Sequence, residues 1–413
     1  MGWFDFWNKK VEYQKMGNDH LYLRALSNDI SRLEKTNTYE IARSLAEVWF
    51  PIDAIASRAS SVPYVLKDVN DNIIEPKDNL KKLLTTPNPY SSFAQFIYDS
   101  VFFEMATGNA LNYAFVSELY KGKRVDYTTI QSLWQLNPND TAMQLNSAIK
   151  NIFASTSEKD IVLYYETLSN GYKQRIDPQY ITHERLTFMN KIEGDTYSDS
   201  PLFSVEKNMN NLLAVYAARF NIYENNGNAG IIFRQAQNNS EQLSEAVNPI
   251  TRDKMIDEAL SRNGITGNKR VVGFSSVPLG WINTLATIKD LEPFRETKED
   301  AIQIAGIYQV DKDLVPTADG ATFENKRVAE RNLYQNVIIS VAEEKAKTLT
   351  QILGLENGLR LVPDFSKVAV LQEDDKARME KVKGYIEIYD KLLEKGIITD
   401  KEYKDKINTL LNE

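Results

Sequence analysis

The 413-residue chain has no cysteine, so disulfides, zinc-thiolate centres and thiol nucleophiles are all excluded. Histidine is nearly absent too. Only His20 and His183 occur, and two histidines so far apart in sequence argue against a His-based metal site or triad. Long apolar runs are missing: the longest uncharged stretch, between Arg270 and Lys289, is interrupted by Ser275, Ser276, Pro278, Gly280 and Asn283, so no membrane span is expected. The start MGWFDFWNKK has no continuous apolar segment, which predicts no secretory signal, and Phe6 stands where a myristoylation motif needs Ser or Thr. This aromatic patch is expected to dock on the protein itself or on a neighbour. Positive charge is not in surplus either; a net charge of −8 excludes a surface that grips phosphate backbones everywhere, though it leaves local contact with DNA open.

Nucleotide signatures are also lacking. No G-x-x-x-x-G-K-[ST] occurs, and the nearest approach, Gly264-Ile265-Thr266-Gly267-Asn268-Lys269-Arg270, has the wrong spacing to cradle a triphosphate. Gly227-Asn228-Ala229-Gly230 follows a predicted helix instead of joining a strand to one, so it reads as a helix-ending turn. Glu343-Glu344 and Glu373-Asp374-Asp375 sit in charged patterns and read as surface carboxylates; neighbours on a helix point about 100° apart, a poor arrangement for Mg²⁺ or for an acid–base pair. His183-Glu184-Arg185 invites a catalytic story, but adjacent strand residues face opposite ways, and an ordinary strand edge is the expectation. No catalytic residue, metal or cofactor is expected.

What is present is helix of unusual length. A chain with 42% hydrophobic and 26% charged residues can bury a substantial core, and its length suggests two or three domains. In residues 199–226 Ser200 can cap, Pro201 can open the first turn, and Leu202, Val205, Met209, Leu212, Tyr216, Phe220 and Tyr223 recur at steps of three or four. Asn226-Gly227 can stop this helix, which at about 1.5 Å per residue spans roughly 38 Å. A short strand follows from Ile231, then a compact excursion with a polar helix at 240–262 and a strand near Val271. A second long helix is predicted over 290–309, with Phe294, Ala301, Ile302, Ala305 and Tyr308 as its stripe. Two long helices flanking such an excursion are expected to pack side by side as a stalk.

Elsewhere, 39–59 reads as a helix that Pro51 is placed to kink, and 62–75 as a hairpin around Asn70-Asp71. Ser92 with Gln95 forms a capping box for a helix ended by Gly108. Residues 109–190 are strand-rich, with Leu111, Tyr113 and Phe115 alternating. A third long helix is expected from about Phe323 to Leu353, a strand over 359–370, and a charged helical pair over 374–411 broken at Gly396. The local basic groups are Lys269-Arg270, read as a solvated turn, and Lys326-Arg327-Arg331, which suits either a phosphate or an ion pair between subunits.

These signs, in this order, resemble the portal, or head-to-tail connector, proteins of tailed double-stranded DNA bacteriophages and gene transfer agents, over most of the chain. The aromatic-basic start resembles the family's opening, and Ile55-Ala56-Ser57 with Val62-Pro63 its first helix end. Leu83-Leu84 before Pro87-Asn88-Pro89, and Gly108-Asn109-Ala110, match its PN and GNA elements. His183 ahead of a Gly/Asp-Ser-Pro helix start and the Asn225-Asn226-Gly227 turn are similar too. So are Ala321-Thr322-Phe323-Glu324-Asn325, Pro363-Asp364-Phe365-Ser366 with Leu371, and Gly396-Ile397-Ile398-Thr399-Asp400-Lys401-Glu402. One element departs: the family often has Phe-Gly-Val-Pro after its second stem helix, where this chain reads Ile307-Tyr308-Gln309-Val310-Asp311.

The resemblance implies an α+β portal fold with a β-rich wing, a two-helix stem, a small α/β clip and a helical crown. Its divisions would be wing 1–199, stem helices 200–226 and 290–310, clip 227–289, tunnel loop 311–325, long helix and return strand 326–372, and crown 373–413. It further implies a ring, usually of twelve subunits, at one capsid vertex of a virion assembled in the host cytoplasm. Double-stranded DNA would pass through it non-specifically, and the major capsid protein, a terminase motor and a head-tail adaptor would dock on it, with no membrane involved. Lys312, Thr317, Lys326 and Arg327 are the candidate lumen residues, and Leu202, Val205, Met209, Leu212, Tyr216, Phe220, Phe294 and Ile302 the candidate stem packing. Two other readings are a virion adaptor or scaffold without a channel, and a carboxylate hydrolase acting on a polymer.

Overall fold

A computed structural model describes residues 38–120, 124–146, 158–169, 172–186, 197–224, 230–234, 279–283, 293–316, 322–355, 358–394 and 403. Two compact units are distinguished, one containing Ser204–Ile304, the other Glu34–Phe203 with Ala305–Glu413.

In the larger unit, helix α1 (Thr38–Ser44) and helix α2 (Ala46–Ser61) replace the single helix expected at 39–59. The break falls at Leu45, whose backbone is extended, and not at Pro51, which is buried inside α2. Strands β1 (Tyr64–Lys67) and β2 (Ile73–Ile74) form the expected hairpin. Its turn works because Asp68 accepts from the N–H groups of Asn70 and Asn72, while Asp71 takes the left-handed conformation that Asp tolerates. After helix α3 (Asp78–Leu83) comes helix α4 (Phe93–Thr107). Ser92 caps α4 by accepting from Gln95 N at 3.2 Å, but the reciprocal half of the box is absent because the Gln95 amide donates to Asp99.

A three-stranded antiparallel sheet follows, built of β3 (Asn109–Val116), β4 (Ile130–Leu136) and β8 (Ile181–Arg185) in the order β4-β3-β8. A second sheet holds β5 (Thr141–Leu145), β6 (Val162–Ser169) and β7 (Tyr172–Ile176), with helix α5 (Glu158–Ile161) just before β6. Leu111 and Ile181 of the first sheet share a core with Val162, Tyr165 and Ile176 of the second. The other face of β3 carries Ala110, Asn112 and Ala114, all buried. With both faces covered, simple alternation fails: Phe115, predicted to point inward with Leu111 and Tyr113, is exposed.

Beyond the sheets, helix α8 (Phe323–Leu333), a π turn (Tyr334–Ile338) and helix α9 (Ile339–Ile352) make one long helical stretch. Thr322 caps it by accepting from Asn325 N. Strand β11 (Arg360–Pro363) pairs with β1. The strand expected at 359–370 is this short because Asp364 caps a 3₁₀ turn at Phe365–Lys367 and helix α10 (Ala369–Glu394) begins at once.

The smaller unit contains helix α6 (Glu206–Glu224), which follows a 3₁₀ turn at Pro201–Val205, and the antiparallel pair β9 (Gly230–Arg234) and β10 (Leu279–Asn283). Helix α7 (Pro293–Ile307) is the second long helix. The amide of Asn208 on α6 donates to Asp300 Oδ1 (2.7 Å) and Gln303 Oε1 (2.8 Å) on α7, so the two helices are bridged at this level. The polar helix at 240–262, the strand near Val271, most of 227–289 and the break at Gly396 lie outside the described residues.

Candidate functional site

The sequence elements singled out separately at Gly108-Asn109, His183 and Ser198–Ser200 meet in one buried junction. Gly108 ends α4 with φ +79°, and a Cβ there would lie 2.4 Å from the Asp199 carbonyl oxygen, so only glycine fits. Next to it, Asn109 uses every polar atom of its side chain. Its amide nitrogen donates to Ser198 O and Thr107 O (both 2.9 Å), while its oxygen accepts from Ser198 N (2.8 Å). The same oxygen faces His183 Nε2 at 3.0 Å, and His183 Nδ1 faces the Tyr165 hydroxyl at 3.2 Å. An acceptor on one side and a hydroxyl on the other assign the Nε2–H tautomer. Burial, aided by nearby Arg185, holds the His183 imidazole well below its ordinary range, so the ring is neutral. One helix turn back, Ser200 donates to Ala106 O at 2.6 Å and accepts from Leu202 N, which caps the turn at Pro201.

Glu184 points to the opposite face, as its position next to His183 in a strand requires. There Lys345 Nζ lies 2.7 Å from Glu184 Oε2 and 2.8 Å from Glu104 Oε2, with all three side chains at least 92% buried. The other Glu184 oxygen accepts from the Asn112 amide, whose own oxygen accepts from Gln135 Nε2. Four elements, α4, β3, β8 and α9, are thus tied at one point. Burial raises Glu184 to about 7, against the opposing pull of Lys345, with Glu104 adding to the rise. Burial works against the Lys345 charge, but Glu104 and Glu184 outweigh it and hold the ammonium above its ordinary range. Residues 183–185 do lie on a strand edge, as read from the sequence, but not on an exposed one. β8 is an edge strand, yet His183 and Glu184 are both buried because each face of the sheet is covered.

Neither histidine nor carboxylate is arranged for catalysis. His183 contacts an amide and a buried phenol, and Glu184 is engaged by an ammonium and an amide, so in this junction both side chains are used to hold the elements together. Among the described residues there is no group of His, Asp and Glu suited to a metal. Asn88, in the PN element, is structural in the same way. It accepts from Tyr90 N and Ser91 N, and its amide donates to Leu133 O, which holds the loop against β4.

Of the candidate lumen residues, Lys312 is exposed in a 3₁₀ turn, Lys312–Leu314, that packs against α8, and Lys326 and Arg327 are exposed on the first turns of α8. Thr317 lies outside the described residues. Along the first long helical stretch Leu202, Val205, Met209 and Leu212 are buried, Tyr216 is half-buried and Phe220 is 37% exposed. On α7 one member of the stripe is corrected: Ile304 is buried with Ala301, Ala305 and Tyr308, whereas Ile302 is only half-buried. Steps of three and four from Ala301 reach Ile304, Ala305 and Tyr308 and miss residue 302. Phe294 belongs to α7 by position; its side chain is outside the described set.

Comparison with known proteins supplies the broader frame. A family model described as phage portal protein matches residues 46–408. No curated protein matches the chain. Among solved structures, the neck of the native gene transfer agent particle computed with C12 symmetry is similar at 17% identity and TM-score 0.57, covering 90% of this chain and 93% of that one. The neck of the empty particle, computed with C6 symmetry, gives 17% and 0.56 over the same shares. A chain from the virion of the native particle gives 16% and 0.54, again over 90% and 93%.

Proposed function

The chain belongs to the phage portal protein family, and we propose that it forms the ring-shaped channel at one capsid vertex through which viral DNA is packaged and ejected. The observation that carries this reading is the family match over residues 46–408, joined by likeness across nine-tenths of the chain to necks of gene transfer agent particles. Portal proteins are structural, non-enzymatic components of phage capsids. In the proposed arrangement twelve copies close a ring, α6 and α7 form the stem, the segment between them the clip, and the C-terminal helix the start of the crown. The packaging motor and the tail adaptor dock on the ring, and the shell protein surrounds it.

A conduit has a physical requirement that this composition meets. A wall that neutralised many phosphates would release many counterions and hold DNA fast, whereas a net charge of −8 with a few placed cations lets it slide. Lys312, Lys326 and Arg327 are exposed at the loop and helix head that this reading turns to the lumen; Thr317, of the same loop, joins them as a candidate from the sequence alone. The test is charge reversal at Lys326 and Arg327 in a packaging assay. Rings should still assemble while the DNA packaged per particle falls. Normal packaging by assembled variant rings would remove these residues from the lumen.

A further inference from the structure

We propose that the Glu104–Lys345–Glu184 cluster is a proton-linked latch: Glu184 is protonated while α9 is docked on the β4-β3-β8 sheet, and loss of that proton as the pH rises loosens the helix. The proposal does not depend on the channel reading, because the three residues join these elements whatever α9 faces.

One ammonium lies between two carboxylates, so the fully ionised cluster is left with one uncompensated negative charge in a site from which water is excluded. One added proton makes it neutral. Among the described residues the surroundings offer no second cation. From α4 the group facing Glu184 is Glu104; from α9 it is Lys345, while Glu344 and Lys347 are exposed; from β3 it is the neutral Asn112. From β1 it is Tyr64, whose phenol donates to Ala342 O and is itself pushed upward by burial and by the Glu184 charge. His183 and Arg185 lie on the other face of the strand. The one arginine of α2, Arg58, is paired with Glu330.

The hydrogen-bond chain can serve either form. With Glu184 ionised, Gln135 donates to Asn112 and Asn112 donates to Glu184. With Glu184 protonated, its O–H donates to the Asn112 oxygen, and the Asn112 amide donates to the Gln135 oxygen once both amides have turned over. Gln135 Oε1 is buried with no hydrogen-bond partner among the described residues, so nothing else holds that amide one way round.

The test is hydrogen exchange of the 339–352 amides in the full-length protein between about pH 5 and about pH 8. An opened helix exposes an ordinary carboxylate, so the opening equilibrium should rise about tenfold per pH unit up to roughly pH 7 and then level off. Glu184→Gln, which keeps the shape but cannot titrate, should flatten the profile. Infrared spectra of the unmutated protein give a variant-free check, with a buried carboxylic-acid band that disappears as the pH rises through about 7. A flat wild-type profile, a slope of the opposite sign, or the absence of a titrating acid band overturns the latch.

Discussion

Lys345 is the one ammonium set between two buried carboxyl groups among the described residues, and it ties α9 to α4 and β8. Lys345→Met should destabilise the protein by about 3–5 kcal/mol, read by chemical denaturation, since it leaves the buried Glu104 without its cation and takes from Glu184 the donor at Oε2. Combining it with Glu104→Gln and Glu184→Gln should recover much of that loss. His183 gives a pH dependence of the opposite sign to that of Glu184. Its imidazole is held low in the folded state, so the unfolded chain binds the extra proton below about pH 6.5, and the stability present above that pH is lost as the pH falls. His183→Gln should flatten this acid-side decline in the unfolding midpoint. Gly108→Ala should cost at least ~2 kcal/mol, because the residue is left-handed and its Cβ would meet the Asp199 carbonyl. Gly108, Asn109, His183 and Ser200 were each conspicuous in the sequence. Their meeting was not, since Asn109 and Ser198 are 89 positions apart. Lys345 left a trace that charge patterning hid: it stands in the stripe Ile338, Ala342, Ala346, Leu349, at a step where apolar residues are buried.

Helix ends show how far local chemistry can be read. Two helices close with the same paired bonds. After α9, Leu355 N reaches Thr350 O and Gly354 N reaches Gln351 O; after α7, Val310 N reaches Ala305 O and Gln309 N reaches Gly306 O. The first has glycine at the left-handed position. The second has Gln309 at φ +56°, in the place where the portal family often has the glycine of Phe-Gly-Val-Pro. Around it Tyr308 is buried and donates to Met105 O, Val310 is buried, and Asp311 caps the next turn where the family has proline. The residues depart from the family's element, and the turn they make has the same paired bonds as the glycine-ended close of α9. Gln309→Gly should stabilise the chain by about 1 kcal/mol, whereas Gly354→Ala should destabilise it, since its Cβ would lie 2.8 Å from Val125 O. Helices with caps and a single buried face were legible from sequence. The break at Leu45, the π turn after Leu333 and the two-faced burial of β3 were not, because tertiary packing decides them.

At the scale of the whole molecule, the mixed helix and sheet fold was legible because its long helices and strand-rich region follow one another in portal order. The proposed lumen was less so, since which cations would face it depends on symmetry that no single chain displays. An exposed Lys326 or Phe323 in one subunit has a meaning only in the assembled ring. The central claim is that this chain closes such a ring around an open channel. Electron microscopy of the purified protein, with its particle mass, tests that most directly. The account predicts rings with a central hole and a mass near twelve times 47.2 kDa. Monomers or dimers at concentrations that support capsid assembly, with no ring in the images, would contradict it.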